Sequence, residues 1–104
     1  MKIIVVKPNE TPIIQEVENK LKTFQDIVGG TIQCVPLTKD IVLTCNDEGK
    51  LLDMPINRTF GNDILCGTFF ITQSNNEGDF ISLSDEHLKY IKSRILTDLP
   101  LDNK

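Results

Sequence analysis

The sequence predicts an α+β fold: a twisted antiparallel or mixed sheet of five to six strands, with two helices on one face. Three observations lead there. Strand-length runs rich in β-branched and aromatic residues recur along the chain, among them Lys2 to Lys7 and Ile64 to Thr72. Clusters of Gly, Pro, Asn and Asp separate those runs at short intervals. Two segments instead space their apolar residues for a helix: Leu21, Phe24, Ile27 and Val28, and later Leu88, Ile91 and Ile95.

Taken in order, Lys2 to Lys7 is a strand that ends at Pro8-Asn9-Glu10-Thr11-Pro12, and Ile13 to Val17 returns as a second strand. Asn19 is placed to cap a helix of about three turns, which Gly29-Gly30 then terminates. Thr31 to Leu37 and Asp40 to Asn46 pair across a tight polar connection. Asn46-Asp47-Glu48-Gly49 turns the chain into Lys50-Leu51-Leu52, extending an antiparallel meander. Asp53 to Asp63 has no sustained period and is expected to be an ordered loop or a single helical turn. Ile64 to Thr72, the most apolar stretch, is expected to be one central strand, with Gly67 marking a bulge or a close backbone approach. Gln73 to Asp79 is a polar turn, expected to be mobile, before a short Phe80-Ile81 strand. Ser84 then caps the last helix, with Asp85 and Glu86 suited to its first turn and Leu83 positioned to staple onto Leu88. Lys92 and Arg94 suit its C-terminal end, and Pro100 stops it.

With 104 residues, 39% hydrophobic and 25% charged, the chain is sized for one core. Residues 1–99 are accordingly assigned to a single domain and 100–104 to a short C-terminal tail. The net charge of −4, with Lys and Arg scattered, offers no basic footprint for nucleic acid. Fifteen Asp and Glu offset by eleven Lys and Arg form no acidic run, so polyanion mimicry is weak too. The N-terminus is too short in apolar residues for a signal-peptide core or a membrane span, and a cytoplasmic protein is expected. Three cysteines, Cys34, Cys45 and Cys66, are read as reduced thiols. Cys34 and Cys45 are candidates to face one another across their hairpin, which would permit oxidation in vitro.

The sharpest chemical candidate is Pro55-Ile56-Asn57-Arg58-Thr59. An Arg fork, an Asn amide and a Thr hydroxyl on a loop stiffened by Pro55 suit a phosphate or carboxylate. The competing explanation is structural: Asn57 holding the turn and Arg58 pairing locally. Thr68 and an aromatic neighbour complete the ligand-binding set Asn57, Arg58, Thr59, Thr68 and Phe70. Phe69 and Phe70 point to opposite faces of a strand, so only one can stack on a base beside Arg58.

Other motifs fall to simpler accounts. Gly29-Gly30-Thr31 follows a helix and lacks a P-loop ending. Asn46-Asp47-Glu48-Gly49 lacks the ligand spacing of a calcium loop. Three cysteines and one histidine without a C-x-x-C pair give no metal site, and no cofactor is implied. His87, in the first turn of a helix, is expected to be a solvent-exposed surface residue. No activated nucleophile is visible, so a non-enzymatic role is expected; catalysis would require carboxylates and His87 to converge in the fold.

The succession Val28-Gly29-Gly30-Thr31-Ile32, Asn46-Asp47-Glu48-Gly49-Lys50-Leu51, Pro55-Ile56-Asn57-Arg58 and Gly67-Thr68-Phe69-Phe70-Ile71 resembles domain of unknown function 3846, a family of small proteins frequent on bacterial phages and conjugative elements. The resemblance spans about residues 1–95. It implies a mobile-element origin and a cytoplasmic accessory role in a bacterial host cell, without lending catalytic residues. Two functions are then expected of the chain. One is a counter-defence or host-modulating protein that sequesters a small anionic ligand such as a signalling nucleotide. The alternative is an inhibitor that binds a host protein through an edge strand or an acidic surface. An exposed edge strand also leads us to expect a homo-oligomer.

Overall fold

Two uninterrupted apolar runs lie side by side at the centre of the molecule. They are Ile3 to Val6 of β1 (Lys2–Val6) and Phe69 to Ile71 of β7 (Phe69–Ser74), paired antiparallel with Val5 opposite Phe70 and Ile4 opposite Ile71. The computed structural model describes residues 1–60, 63–96 and 102–103. Around the central pair lie β2 (Ile13–Glu16) beyond β1, and β4 (Ile41–Asn46) then β3 (Ile32–Pro36) beyond β7. All these pairings are antiparallel, and β8 (Phe80–Ile81) extends the far end of β7 in the same sense. A two-residue β9 (Asp102–Asn103) runs parallel to β2. The domain boundary expected at residues 99 and 100 and the stop at Pro100 lie outside the described residues.

The α+β class therefore holds, but the helices do not share a face. Helix α1 (Leu21–Val28) packs Phe24 and Val28 against Ile3, Val5 and Phe70. Helix α2 (Asp85–Tyr90), continued by a π-helical segment Ile91–Ile95, packs Leu88, Ile91 and Leu96 against Ile4, Val6, Leu43, Phe69 and Ile71 on the opposite side. The physical reason is in the strands themselves. Ile3 to Val6 and Phe69 to Ile71 are apolar at every position, so both faces need cover. Phe24, Phe70 and Phe80 form the aromatic centre on the α1 side, with Phe24 centroids 5.3 Å from each of the other two. Each such pair contributes about 0.5–1.5 kcal/mol beyond its buried area.

The helix ends follow local chemistry, with one exception. Gly29 adopts φ 81° and its N–H bonds Gln25 O, terminating α1 as expected. Its N-terminal flank is Lys20, without a side-chain cap, because Asn19 Nδ2 donates instead to Phe80 O at 2.9 Å. The helix is two turns long rather than three. Ser84 caps α2 as its sequence predicts, accepting from His87 N–H, and Leu83 and Leu88 are both buried in the same cluster.

Two expected elements are replaced. The meander does not continue into Lys50-Leu51-Leu52: residues 47–53 coil as turns, and the neighbour of β4 is β7. The connection after Asp53 holds strand β5 (Ile56–Phe60), paired with β6 (Asp63–Cys66) in a separate two-stranded ribbon. The expected strand from Ile64 to Thr72 is thus cut in two at Gly67. Its φ of 84° turns the chain from the ribbon into the main sheet, and a Cβ there would come within 2.7 Å of Met54 Sδ. The Gln73–Asp79 turn is built around Asn75, whose Oδ1 accepts from Glu77 N–H at 2.9 Å and Asp79 N–H at 3.0 Å. Among the described residues, no helix is long and apolar enough to cross a membrane.

Candidate functional site

The ribbon strand β5 carries Asn57, Arg58 and Thr59, and its geometry explains why Asn and Arg stand there. Asn57 Nδ2 donates to Val6 O and to Gly67 O, both at 2.8 Å, tying the ribbon to the end of β1 and to the Gly67 switch. Arg58 Nη1 bonds Asn57 O at 3.0 Å and Asn57 Oδ1 at 2.9 Å, while Nη2 reaches Glu10 O at 3.2 Å. Both amide hydrogens of Asn57 and much of the Arg58 fork are thus spent on internal acceptors. Thr59 is exposed and Thr68 half-buried.

Phe70 corrects the expected ligand set. It is fully buried between α1 and the sheet, and Phe69 is equally buried on the other face. Neither ring can stack on a ligand beside Arg58, because a sheet covered on both faces leaves its central strand no exposed side. Thr68 borders a different feature, a shallow cavity of about 350 Å³ between α1 and the Met54-Pro55 segment.

The thiols do not meet across the β3–β4 hairpin. Register sets Cys34 opposite Thr44 and Gln33 opposite Cys45, so the two cysteines project from opposite faces. Among the described residues, no cluster of three or more His, Cys, Asp or Glu is arranged to hold a metal ion.

A constellation that sequence reading missed joins the β3–β4 turn to α2. His87 Nε2 lies 2.9 Å from Asp40 Oδ2, and His87 Nδ1 lies 2.7 Å from Ser84 Oγ. The His87 side chain is only 21% exposed, so the expectation of a free surface histidine is corrected. The reason is tertiary: packing Leu88 and Ile91 onto the sheet swings the first turn of α2 over the hairpin that carries Asp40. Asp40 is held from its other side by Thr38 Oγ1 at 3.3 Å. Its hydrogen bond from His87 keeps the carboxyl below the usual carboxylate range, against the opposing effect of desolvation. The Ser84-x-x-His87 spacing was legible in the chain, whereas its partner 47 residues away had no sequence signal.

The second notable surface surrounds the turn at residues 47–53. Leu51 is 82% exposed, Leu52 56%, Ile56 64% and Ile64 41%. Leu51 and Ile64 border one cavity of about 400 Å³ between this turn, β4 and β6. Asp47, Glu48 and Lys50, all exposed, line the same cavity. At the far end of the sheet, the outer edge of β3 has no partner strand among the described residues.

The chain belongs to the family described as Domain of unknown function (DUF3846), whose model matches residues 1–96. No curated protein and no solved structure matches it.

Proposed function

We propose that this DUF3846 protein acts by docking on another protein through the apolar surface of Leu51, Leu52, Ile56 and Ile64, bordered by Asp47 and Glu48. The observation that carries this reading is the exposure of Leu51, Leu52, Ile56 and Ile64 on adjoining segments of one turn and one ribbon. Covering a fully exposed Leu or Ile side chain yields about 1.5–3 kcal/mol, so a few such residues suffice as anchors of an interface. Asp47 and Glu48 beside Leu51 and Ile64 favour a partner whose apolar centre is rimmed by Lys or Arg. On a phage or conjugative element, the setting that the family resemblance implies, such a protein would occupy a host protein in the bacterial cytoplasm as a host-modulating or counter-defence factor.

Two alternatives draw less support. Sequestration of a small anion by Asn57, Arg58 and Thr59 would require the first two to give up their bonds to Val6, Gly67 and Glu10. Strand addition at β3 is short, because Pro36 has no N–H to donate at the end of that edge.

The test is site-specific photocrosslinking in a bacterial host, with the crosslinker at position 52 and a control at Lys22, which is exposed on α1. A host protein captured from position 52 alone, which when purified binds Leu51→Asp at least tenfold more weakly than wild type, is the expected result. Equal capture from both positions, or a small anion that copurifies with wild type and is lost in Arg58→Ala, would overturn the reading.

A further inference from the structure

We infer that Ser84, His87 and Asp40 form a hydroxyl-activating relay, with Ser84 Oγ a nucleophile toward small activated carboxylic esters. The three side chains share no residue with the docking surface, and this inference stands independently of it. The defining geometry of an activated nucleophile is a hydroxyl within hydrogen-bond reach of a base, with a third group orienting that base. Here the distances are 2.7 Å from Ser84 Oγ to His87 Nδ1 and 2.9 Å from His87 Nε2 to Asp40 Oδ2.

The proton positions follow from the acceptor. An ionised Asp40 can only accept, so Nε2 carries the imidazole proton and donates it. Nδ1 is then left with its lone pair facing the Ser84 hydroxyl, which donates in turn. The arrangement is a serine–histidine–carboxylate relay with the two ring nitrogens exchanged relative to the serine proteases, and such relays are recognised by geometry and roles rather than by order in the chain. Both ends are pinned. Thr38 Oγ1 bonds the second Asp40 oxygen, and Ser84 N–H donates to Gln73 Oε1 at 3.1 Å.

Ser84 also caps α2, its Oγ accepting His87 N–H at 3.2 Å. That bond uses an oxygen lone pair and leaves the hydroxyl proton for Nδ1. Ser84 is exposed, so a substrate can reach it. His87 and Asp40 line a cavity of about 280 Å³ together with Thr38, Ile41, Glu86 and Tyr90, and its mostly apolar wall suits a small apolar substituent of the ester.

In the step assigned here, Ser84 Oγ bonds the acyl carbon as its proton passes to His87 Nδ1. The ester C–O bond breaks, and the leaving alkoxide takes that proton from Nδ1. Water, deprotonated by the same nitrogen, then releases the carboxylic acid and restores Ser84. Asp40 is a positioning residue that fixes the ring and its tautomer.

The experiment uses the full chain with a fluorophosphonate probe, read by intact mass and peptide mapping, together with p-nitrophenyl acetate turnover across pH. One adduct on Ser84 is expected, absent from Ser84→Asn, which retains a side-chain acceptor for the cap. His87→Gln should slow labelling at least tenfold. Asp40→Asn should slow it and shift the pH–rate profile, an effect that loss of a purely structural contact would not produce. No Ser84 adduct on folded wild-type protein, or labelling of His87→Gln at the wild-type rate, would overturn the assignment.

Discussion

Asn57→Ala separates a structural role for the β5 ribbon from a ligand-binding one. The Asn57 amide donates at 2.8 Å to each of Val6 O and Gly67 O, and its oxygen accepts from Arg58. Alanine removes all three interactions and brings no donor to the two backbone carbonyls. At about 1 kcal/mol net for each donated bond, the loss is about 2 kcal/mol, with more if either carbonyl is left without a partner. For a domain of this size that lowers Tm by about 8–16 °C. Urea denaturation followed by far-UV circular dichroism should show a lower midpoint at an unchanged slope. Arg58→Ala, which keeps both carbonyl bonds, should cost less. An Asn57→Ala protein within about 0.5 kcal/mol of wild type would refute the staple and return the Asn57 amide to the pool of groups available for a ligand.

Two further outcomes follow from single positions. Gly67→Ala should destabilise clearly more than Gly78→Ala in the same urea assay. Both residues sit at φ 84°, but a Cβ at 67 meets Met54 Sδ at 2.7 Å while one at 78 meets nothing within 4 Å. The Asp40–His87 contact should also leave a pH signature. A carboxyl whose pKa is lowered on folding adds stability above its ordinary value of 3.8, and loses it as pH falls through the depressed folded value. The stability gap between wild type and Asp40→Asn should therefore close from about pH 4 downward. Asp40 is 45% exposed, so solvent screening keeps the carboxylate contribution within about 1 kcal/mol. A gap that widens below pH 4 would contradict the assignment.

What was legible in the chain was local. The Ser84 cap with buried Leu83 and Leu88 beside it, the left-handed Gly29 stop and the β3–β4 hairpin depend on residues a few positions apart, and each formed as the sequence predicts. One global feature was readable but misread. Strands apolar at every position, Ile3 to Val6 and Phe69 to Ile71, require cover on both faces, and that requirement sends α1 and α2 to opposite sides and buries Phe70. The β5 strand was hidden because Pro55 and Asn57 are turn residues by composition. Pro55 stands just before the strand, and Asn57 spends its amide on β1 and Gly67 rather than on its own backbone.

The sequence by itself determined the Ser84 start of α2, the Gly29 end of α1 and the β3–β4 hairpin, because caps and tight turns are set by neighbouring residues. Only the tertiary structure decided which distant groups meet. Asp40 reaches His87, and Asn57 reaches Val6, because packing of the two helices and closure of the ribbon bring them within 3 Å. A hydrogen bond depends on distance in space, and no pattern along the chain encodes that distance.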